Sequence, residues 1–413
     1  MEQWIQIERV SELADEAVRI CIGGLKPGRR YMMYARMSDD FGREWESFAE
    51  YRADESGLIA LANQTPISGT YEGVDAMGLF WSLRLQNNPP GMMPYFHKLN
   101  TEPHTVTLAL YDGESKLAEQ TISFAFKSRE IREELVTDGF VGKYFTLEHG
   151  TNLPAMIVVG GSGGGFAWSE QIASLLAARG FAALAVAYFD YEGRYGLPSG
   201  LAEIELEAFE RAALWLRERK ETDAGRLGVI GISKGAELAL LLGSYFPNEV
   251  KTVVAFAPSL YVYQGIRIGE KDTVSSWSYR GKALEYVSYP PEYKSSMDFD
   301  KATLRDMYIR TLADKEAISG ARIPVNQMQC SLLLVTGDLD ALGPTSEMAI
   351  EAAEILRGCN YPYEIEHLRY SKGDHSFFIP NLPPNVISHY AHASDIAAAE
   401  RDAWWKMIRF LKR

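Results

Sequence analysis

The chain has 413 residues, 46% hydrophobic and 23% charged, with a formal net charge of −13 at pH 7. That length holds two or three domains with sizeable cores, and an acidic chain without a basic run excludes a nucleic-acid partner. Cys21, Cys330 and Cys359 are widely spaced with no C-x-x-C, which points to a reducing cytoplasm rather than a disulfide framework. The opening MEQWIQIERV lacks the regions of a signal peptide. Arg179 interrupts the longest apolar run, so no membrane span is expected.

Residues 1–130 read as all-β. Alternating segments at Ala17–Ile22, Tyr31–Arg36, Trp45–Tyr51, Leu79–Leu85 and Thr105–Tyr111 are separated by turn residues, the pattern of an immunoglobulin-like β-sandwich. His97 and His104 have no partner at metal-ligand spacing and read as surface residues, while Tyr71, Phe80 and Trp81 read as packing. Arg129–Leu135 is taken as a charged connector, followed by a hairpin near Gly139–Leu147. The boundary falls near 130.

From Pro154 the pattern alternates between β and α. Strands are expected at Ala155–Val159, Ala182–Tyr188, Leu227–Ile230, Thr252–Phe256, Ser331–Val335 and Tyr363–Leu368. Helices are expected at Trp168–Arg179, Ala202–Arg217, from Ala236, at Ser346–Arg357 and at Ser394–Leu411. Strands that are apolar throughout, separated by helices, form a mostly parallel sheet covered on both faces. Residues 131–413 are thus expected to be an α/β-hydrolase domain. A cap-like insertion at 258–325 breaks the rhythm; it includes Tyr289-Pro-Pro-Glu292 and a helix near Thr303–Ala317.

The chemistry centres on Gly231-Ile-Ser-Lys-Gly235, a G-x-S-x-G turn between strand and helix. A serine there projects its hydroxyl from a strained turn, and small neighbours keep the turn from clashing. A hydroxyl needs an oriented base, and in this architecture the acid and the histidine follow in that order on loops after later strands. Asp340 is favoured as the acid over Asp338, which adjoins its strand as a turn former. His375, on the loop after the last strand, is favoured as the base. His367 lies within that strand, His389 and His392 come later, and His149 precedes the sheet. The Gly160–Gly165 run lacks the G-K-[ST] ending of a phosphate loop. It is expected to supply one oxyanion donor, the N–H of Ser162 or Gly163, beside that of Lys234.

These residues resemble a known family, the type I acyl-CoA thioesterases and bile acid-CoA:amino acid N-acyltransferases. The resemblance covers nearly the whole chain. It rests on Tyr51-Arg-Ala-Asp54, Gly69-Thr-Tyr-Glu-Gly-Val-Asp-Ala-Met-Gly-Leu-Phe-Trp-Ser82, Gly163-Gly-Gly165, Leu175-Leu-Ala-Ala-Arg-Gly-Phe181, Ala187-Tyr-Phe-Asp-Tyr-Glu192 and Gly231-Ile-Ser-Lys-Gly-Ala-Glu-Leu238. It implies an acyl-CoA substrate, an acyl-enzyme on Ser233 and a triad completed by Asp340 and His375; serine chemistry of this kind needs no metal or redox cofactor. Amino-acid-conjugating members carry cysteine at the elbow, so Ser233 implies water as acceptor. The alternatives are an oxygen-ester hydrolase or lactonase, or an N-acyltransferase. The segment Ala341–Ser346 departs from the family's tryptophan-containing run, so acyl-chain preference is not carried over. The segment Phe377–Pro384 differs as well.

Overall fold

The computed structural model describes residues 2–88, 94–269, 272–290, 301–316 and 318–413. Two compact units emerge. One comprises Met1–Ser128, Phe378–Val386 and His392–Arg401; the other comprises Arg129–Phe377, Ile387–Ala391 and Asp402–Arg413.

The first unit is a β-sandwich. One sheet orders Trp4–Glu8, Arg19–Gly23 and Ile59–Ala60. The other orders Ser68–Gly69, Glu44–Arg52, Arg30–Ser38, His104–Asp112 and Ser115–Phe124, with Arg84–Leu85 against Glu44–Arg52. All its strand pairs are antiparallel. Alternation sets the core: Tyr31, Met33, Ala35 and Met37 are buried on one strand, and Trp45, Ala49 and Tyr51 on the next. This is the period-two pattern of a half-buried sheet. Asn381 returns to this unit, donating from Nδ2 to the Ala14 carbonyl at 3.1 Å.

Three expectations here are corrected. Leu79–Leu85 is not one strand but a helical turn, Gly78–Trp81, followed by Arg84–Leu85. Leu79, Phe80 and Trp81 are all buried, which an alternating strand with one wet face cannot accommodate. Strands Trp4–Glu8 and Ser115–Phe124 escaped the sequence reading because their exposed positions hide the alternation. His104 is buried rather than superficial and stacks on Phe124, with ring centroids 5.3 Å apart. Burial, aided by the charge of Lys98, pushes its pKa down to about 3.

The second unit has an eight-stranded sheet in the order Ile131–Val136, Val141–Leu147, Ala182–Ala187, Leu153–Val159, Thr222–Ile232, Thr252–Phe256, Ser331–Gly337, Ile365–Tyr370. The first two pairings are antiparallel and the rest parallel. This is the α/β-hydrolase fold. The central strands Ala182–Ala187 and Leu153–Val159 are apolar because helices cover both faces.

Arg129–Leu135 is therefore no connector. Residues 131–136 form an edge strand whose charged side chains occupy its exposed positions. The helix expected from Ala202 begins at Glu207, because Glu203 takes a left-handed φ of 49° and Ile204–Glu205 pairs instead with Trp277–Ser278. Within 258–325, strands Trp277–Tyr279 and Lys282–Ala283 and helix Lys301–Thr311 are formed. Residues 270–271, 291–300 and 317 of that stretch lie outside the described residues. Among the described residues no helix is long and apolar enough to cross a membrane.

Candidate active site

Strand Thr222–Ile232 runs directly into Ser233 and helix Lys234–Tyr245. Ser233 sits at φ 56° and ψ −120°, a conformation that costs a non-glycine residue about 1–3 kcal/mol and persists only when its surroundings impose it. Here they do. The Ser233 amide donates to the Phe256 carbonyl at 2.8 Å, and its own carbonyl accepts the amides of Ala236 and Glu237 at 2.9 and 3.1 Å. A Cβ on Gly231 would overlap the Gly235 carbonyl, and one on Gly235 would overlap that of Gly160. The turn therefore closes only with glycine at both positions.

The neighbouring strands Thr252–Phe256, Ser331–Gly337 and Ile365–Tyr370 run parallel to Thr222–Ile232. The loops carrying Asp340 and His375 thus leave the same edge of the sheet as Ser233. Asp340 is buried, and each of its oxygens is bonded. Oδ1 accepts the amides of Leu342 and Gly343 at 2.8 and 3.1 Å. Oδ2 accepts the Thr345 hydroxyl at 2.6 Å and lies 2.8 Å from His375 Nδ1. Burial pushes the Asp340 carboxyl upward, but the charge and hydrogen bond of His375, with the Thr345 and Leu342 bonds, hold it below the ordinary aspartate value. The imidazole shows the mirror image. Burial pulls its pKa down, yet the charge and hydrogen bond of Asp340 and the charge of Asp374 outweigh that, and the net shift is upward.

Helix Lys301–Thr311 braces the acid loop. Arg305 donates to the carbonyls of Asp340 and Gly343 at 3.3 and 2.8 Å and pairs with Glu347. Aromatic rings join the elbow to the histidine loop: Phe256 lies 5.7 Å from Phe377 and 6.3 Å from Trp168, whose indole donates to the Phe377 carbonyl.

The other sequence candidates make other contacts or are exposed. Asp338 forms an ion pair with Arg369 at 2.6 Å. His367 remains in its strand, with Nε2 2.8 Å from Thr336 Oγ1. His149, His389 and His392 are exposed. Ser162 and Gly163 are exposed in the turn after strand Leu153–Val159, and the Ser162 carbonyl accepts the Tyr191 hydroxyl. The loop residue lying against the serine is Gly161, where a Cβ would come 3.2 Å from Ser233 Cβ. Sequence reasoning passed over it, because nothing in a run of glycines singles out one member.

Two family profiles match the chain: "Acyl-CoA thioester hydrolase/BAAT N-terminal region" over residues 15–138, and "BAAT / Acyl-CoA thioester hydrolase C terminal" over residues 204–413. The chain is a member of the BAAT/acyl-CoA thioester hydrolase family. Among its relatives, acyl-coenzyme A thioesterase 6 of Mus musculus is 26% identical over 420 residues, covering 97% of this chain and 93% of the relative. Acyl-coenzyme A amino acid N-acyltransferase 2 of Mus musculus is 30% identical over 342 residues, covering 79% and 76%. A solved structure, a putative dienelactone hydrolase from Klebsiella pneumoniae, aligns over 68% of this chain and 98% of its own at 17% identity, with a TM-score of 0.43.

This family member also carries a buried ion pair behind its elbow. Lys234 Nζ lies 2.9 and 3.0 Å from the two Glu237 oxygens, 2.8 Å from Ser276 Oγ and 3.3 Å from the Tyr263 carbonyl. Glu237 Oε1 also accepts the Trp277 indole at 2.8 Å and the Tyr263 amide at 3.3 Å. Burial pushes Lys234 down and Glu237 up, each opposed by the partner's charge. The first turn of the elbow helix is thereby fastened to Tyr263, Ser276 and Trp277.

Proposed function

We propose that this chain is a serine hydrolase that cleaves acyl-CoA thioesters to CoA and a free carboxylic acid, with Ser233, Asp340 and His375 as its triad. The observation that carries the reading is the 2.8 Å Asp340–His375 contact on the sheet edge from which the strained Ser233 also projects. Family membership supplies the substrate class. The mechanism follows from the protonation states. With Nδ1–H given to Asp340, the neutral imidazole keeps its lone pair on Nε2, where it takes the Ser233 proton. Ser233 Oγ attacks the thioester carbonyl. The amides of Lys234 and of Ser162 or Gly163 donate to the oxyanion, helped by the helix N-terminus. Collapse breaks the C–S bond, and the CoA sulfur leaves with the proton from His375. Water then repeats the sequence on the acyl-serine ester and releases the acid. Cysteine usage supports a cytoplasmic setting for this chemistry.

The test is thiol release across acyl-CoAs of short to long chain, with a p-nitrophenyl ester alongside and Ser233→Ala as control. Turnover within one chain-length range, lost in the variant, is the expected result. Ester cleavage without CoA release would keep the triad and overturn the substrate. The N-acyltransferase relative favours a second reading, transfer to an amine. Product analysis with added glycine or taurine distinguishes it, and free acid as the sole product is expected.

A further inference from the structure

The residue before His375 is an aspartate that the triad does not use. Asp374 is fully buried, and its carboxylate collects three backbone donors. Oδ1 accepts the amide of His375 itself at 2.7 Å, and Oδ2 accepts the amides of Ile387 and Ser388 at 2.6 Å each. A carboxylate removed from water is costly unless donors replace its hydration. Three N–H groups do so here. In return, three loop amides that belong to no helix or strand are satisfied by a single side chain.

The arrangement fixes the histidine from two directions. On one side, the carbonyl of Gly373 accepts the amide of Leu339 at 2.9 Å, tying the histidine loop to the loop that bears Asp340. On the other, Asp374 tethers the backbone of His375 to residues 387–388, which return to the same unit after the chain has left it. The imidazole is thus suspended between two anchors one and two residues from its own Cα.

We propose that Asp374 is a positioning residue for His375: by binding the histidine's own amide together with those of Ile387 and Ser388, it sets where the imidazole sits relative to Asp340 and Ser233. This rests on the reading of His375 as the general base. Asp374 also acts through its charge. It and Asp340 are the two acidic groups that raise the His375 pKa against burial. A residue that merely fastened the fold would not move the protonation of the base.

The experiment compares wild type, Asp374→Asn, Asp374→Glu and Ser233→Ala in the full chain. A fluorophosphonate probe gives the number of reactive serines from its end point and their reactivity from its rate; acyl-CoA turnover gives kcat, KM and the pH profile. For Asp374→Asn, the end point stays near that of wild type while the labelling rate and kcat fall about 10- to 100-fold, the scale of a misplaced catalytic group. KM changes by no more than about twofold. The acid limb of kcat/KM moves to lower pH, because a negative charge beside the imidazole is gone. Asp374→Glu keeps the charge, so its limb stays in place while kcat still falls. Wild-type rates with an unmoved limb in Asp374→Asn would overturn the proposal. So would a loss confined to the end point, or failure of both Asp374 variants to yield folded, labelled protein, since each assigns the residue to the fold alone. Undiminished labelling in Ser233→Ala, by contrast, would fault the triad and not Asp374.

Discussion

Gly337 and Gly373 touch backbone to backbone: a Cβ on Gly337 would overlap the carbonyl carbon of Gly373, and one on Gly373 would lie 3.2 Å from Gly337 Cα. This contact sets the spacing between the acid loop and the histidine loop, which Asp338 and Leu339 reinforce by donating to the Tyr370 and Gly373 carbonyls. Gly337→Ala forces rigid backbone apart rather than displacing a mobile side chain. It is expected to cost about 1–3 kcal/mol of stability and to lower thioester turnover by about tenfold or more through the Asp340–His375 geometry. Urea unfolding and steady-state kinetics on one preparation check both, and unchanged turnover would uncouple loop spacing from catalysis.

The pH dependence of kcat/KM has a defined sign. As the proposed base, His375 must be neutral to accept the serine proton. Its pKa is raised above the ordinary histidine value, burial opposing and Asp340 and Asp374 prevailing. Activity therefore rises with pH through a limb whose midpoint lies above about 6.5 and is lost below it. A pH–rate profile reads this directly; full activity maintained at pH 5.5 would rule out His375 as the base.

The Lys234–Glu237 pair is predicted to be energetically lopsided. Lys234→Met leaves Glu237 with two donors, the Trp277 indole and the Tyr263 amide, and a carboxyl already pushed upward by burial can take a proton. Glu237→Leu strips those two donors of their acceptor and strands a buried ammonium. Breaking a buried pair costs about 3–5 kcal/mol, and Glu237→Leu should show that loss while Lys234→Met shows less. Denaturant midpoints for the two variants decide it. The reverse order would mean that the ammonium, not the carboxylate, organises the cluster.

Glu400 offers a test in the other unit. It is buried, Oε2 has no hydrogen-bond partner among the described residues, and Oε1 accepts the Phe378 amide at 2.9 Å. Burial, only partly offset by that bond and by the charge of Arg401, raises its pKa to about 8. A carboxyl that is easier to ionise unfolded than folded favours the fold fully below about pH 4.5, and that contribution is lost as pH rises towards 8. Glu400→Gln should therefore match wild type in unfolding free energy near pH 4.5 and exceed it at pH 8, by an amount on the order of 1–3 kcal/mol. A gain of equal size at both pH values would refute the titration.

The parts legible in the sequence were those dictated by local geometry. The elbow announces itself because Gly231 and Gly235 are sterically required within five residues. The parallel strands announce themselves because burial on both faces leaves them apolar. Gly161 was missed because a run of glycines does not say which member meets the serine. Asp374 was missed because its three donors include two amides from residues 387 and 388, and backbone donors leave no trace in residue identity. The contact of the Lys234 ammonium with Ser276 was missed for another reason: the serine lies some forty residues on, beyond the reach of any local pattern. Leu79–Trp81 misled because a buried helical turn and a strand share the same apolar run.

Strand Ile365–Tyr370 is the last of the eight, with no residue fully buried, whereas Leu332–Gly337 beside it is buried throughout. It is also the strand from which His375 hangs. The group proposed to move the protons is thus moored to an edge of the sheet, and local opening at an edge demands less free energy than opening of the buried interior. As denaturant or temperature rises, chemistry should fail ahead of the collapse of the interior, and lost turnover will serve as an early alarm for a molecule that by bulk measures is still intact.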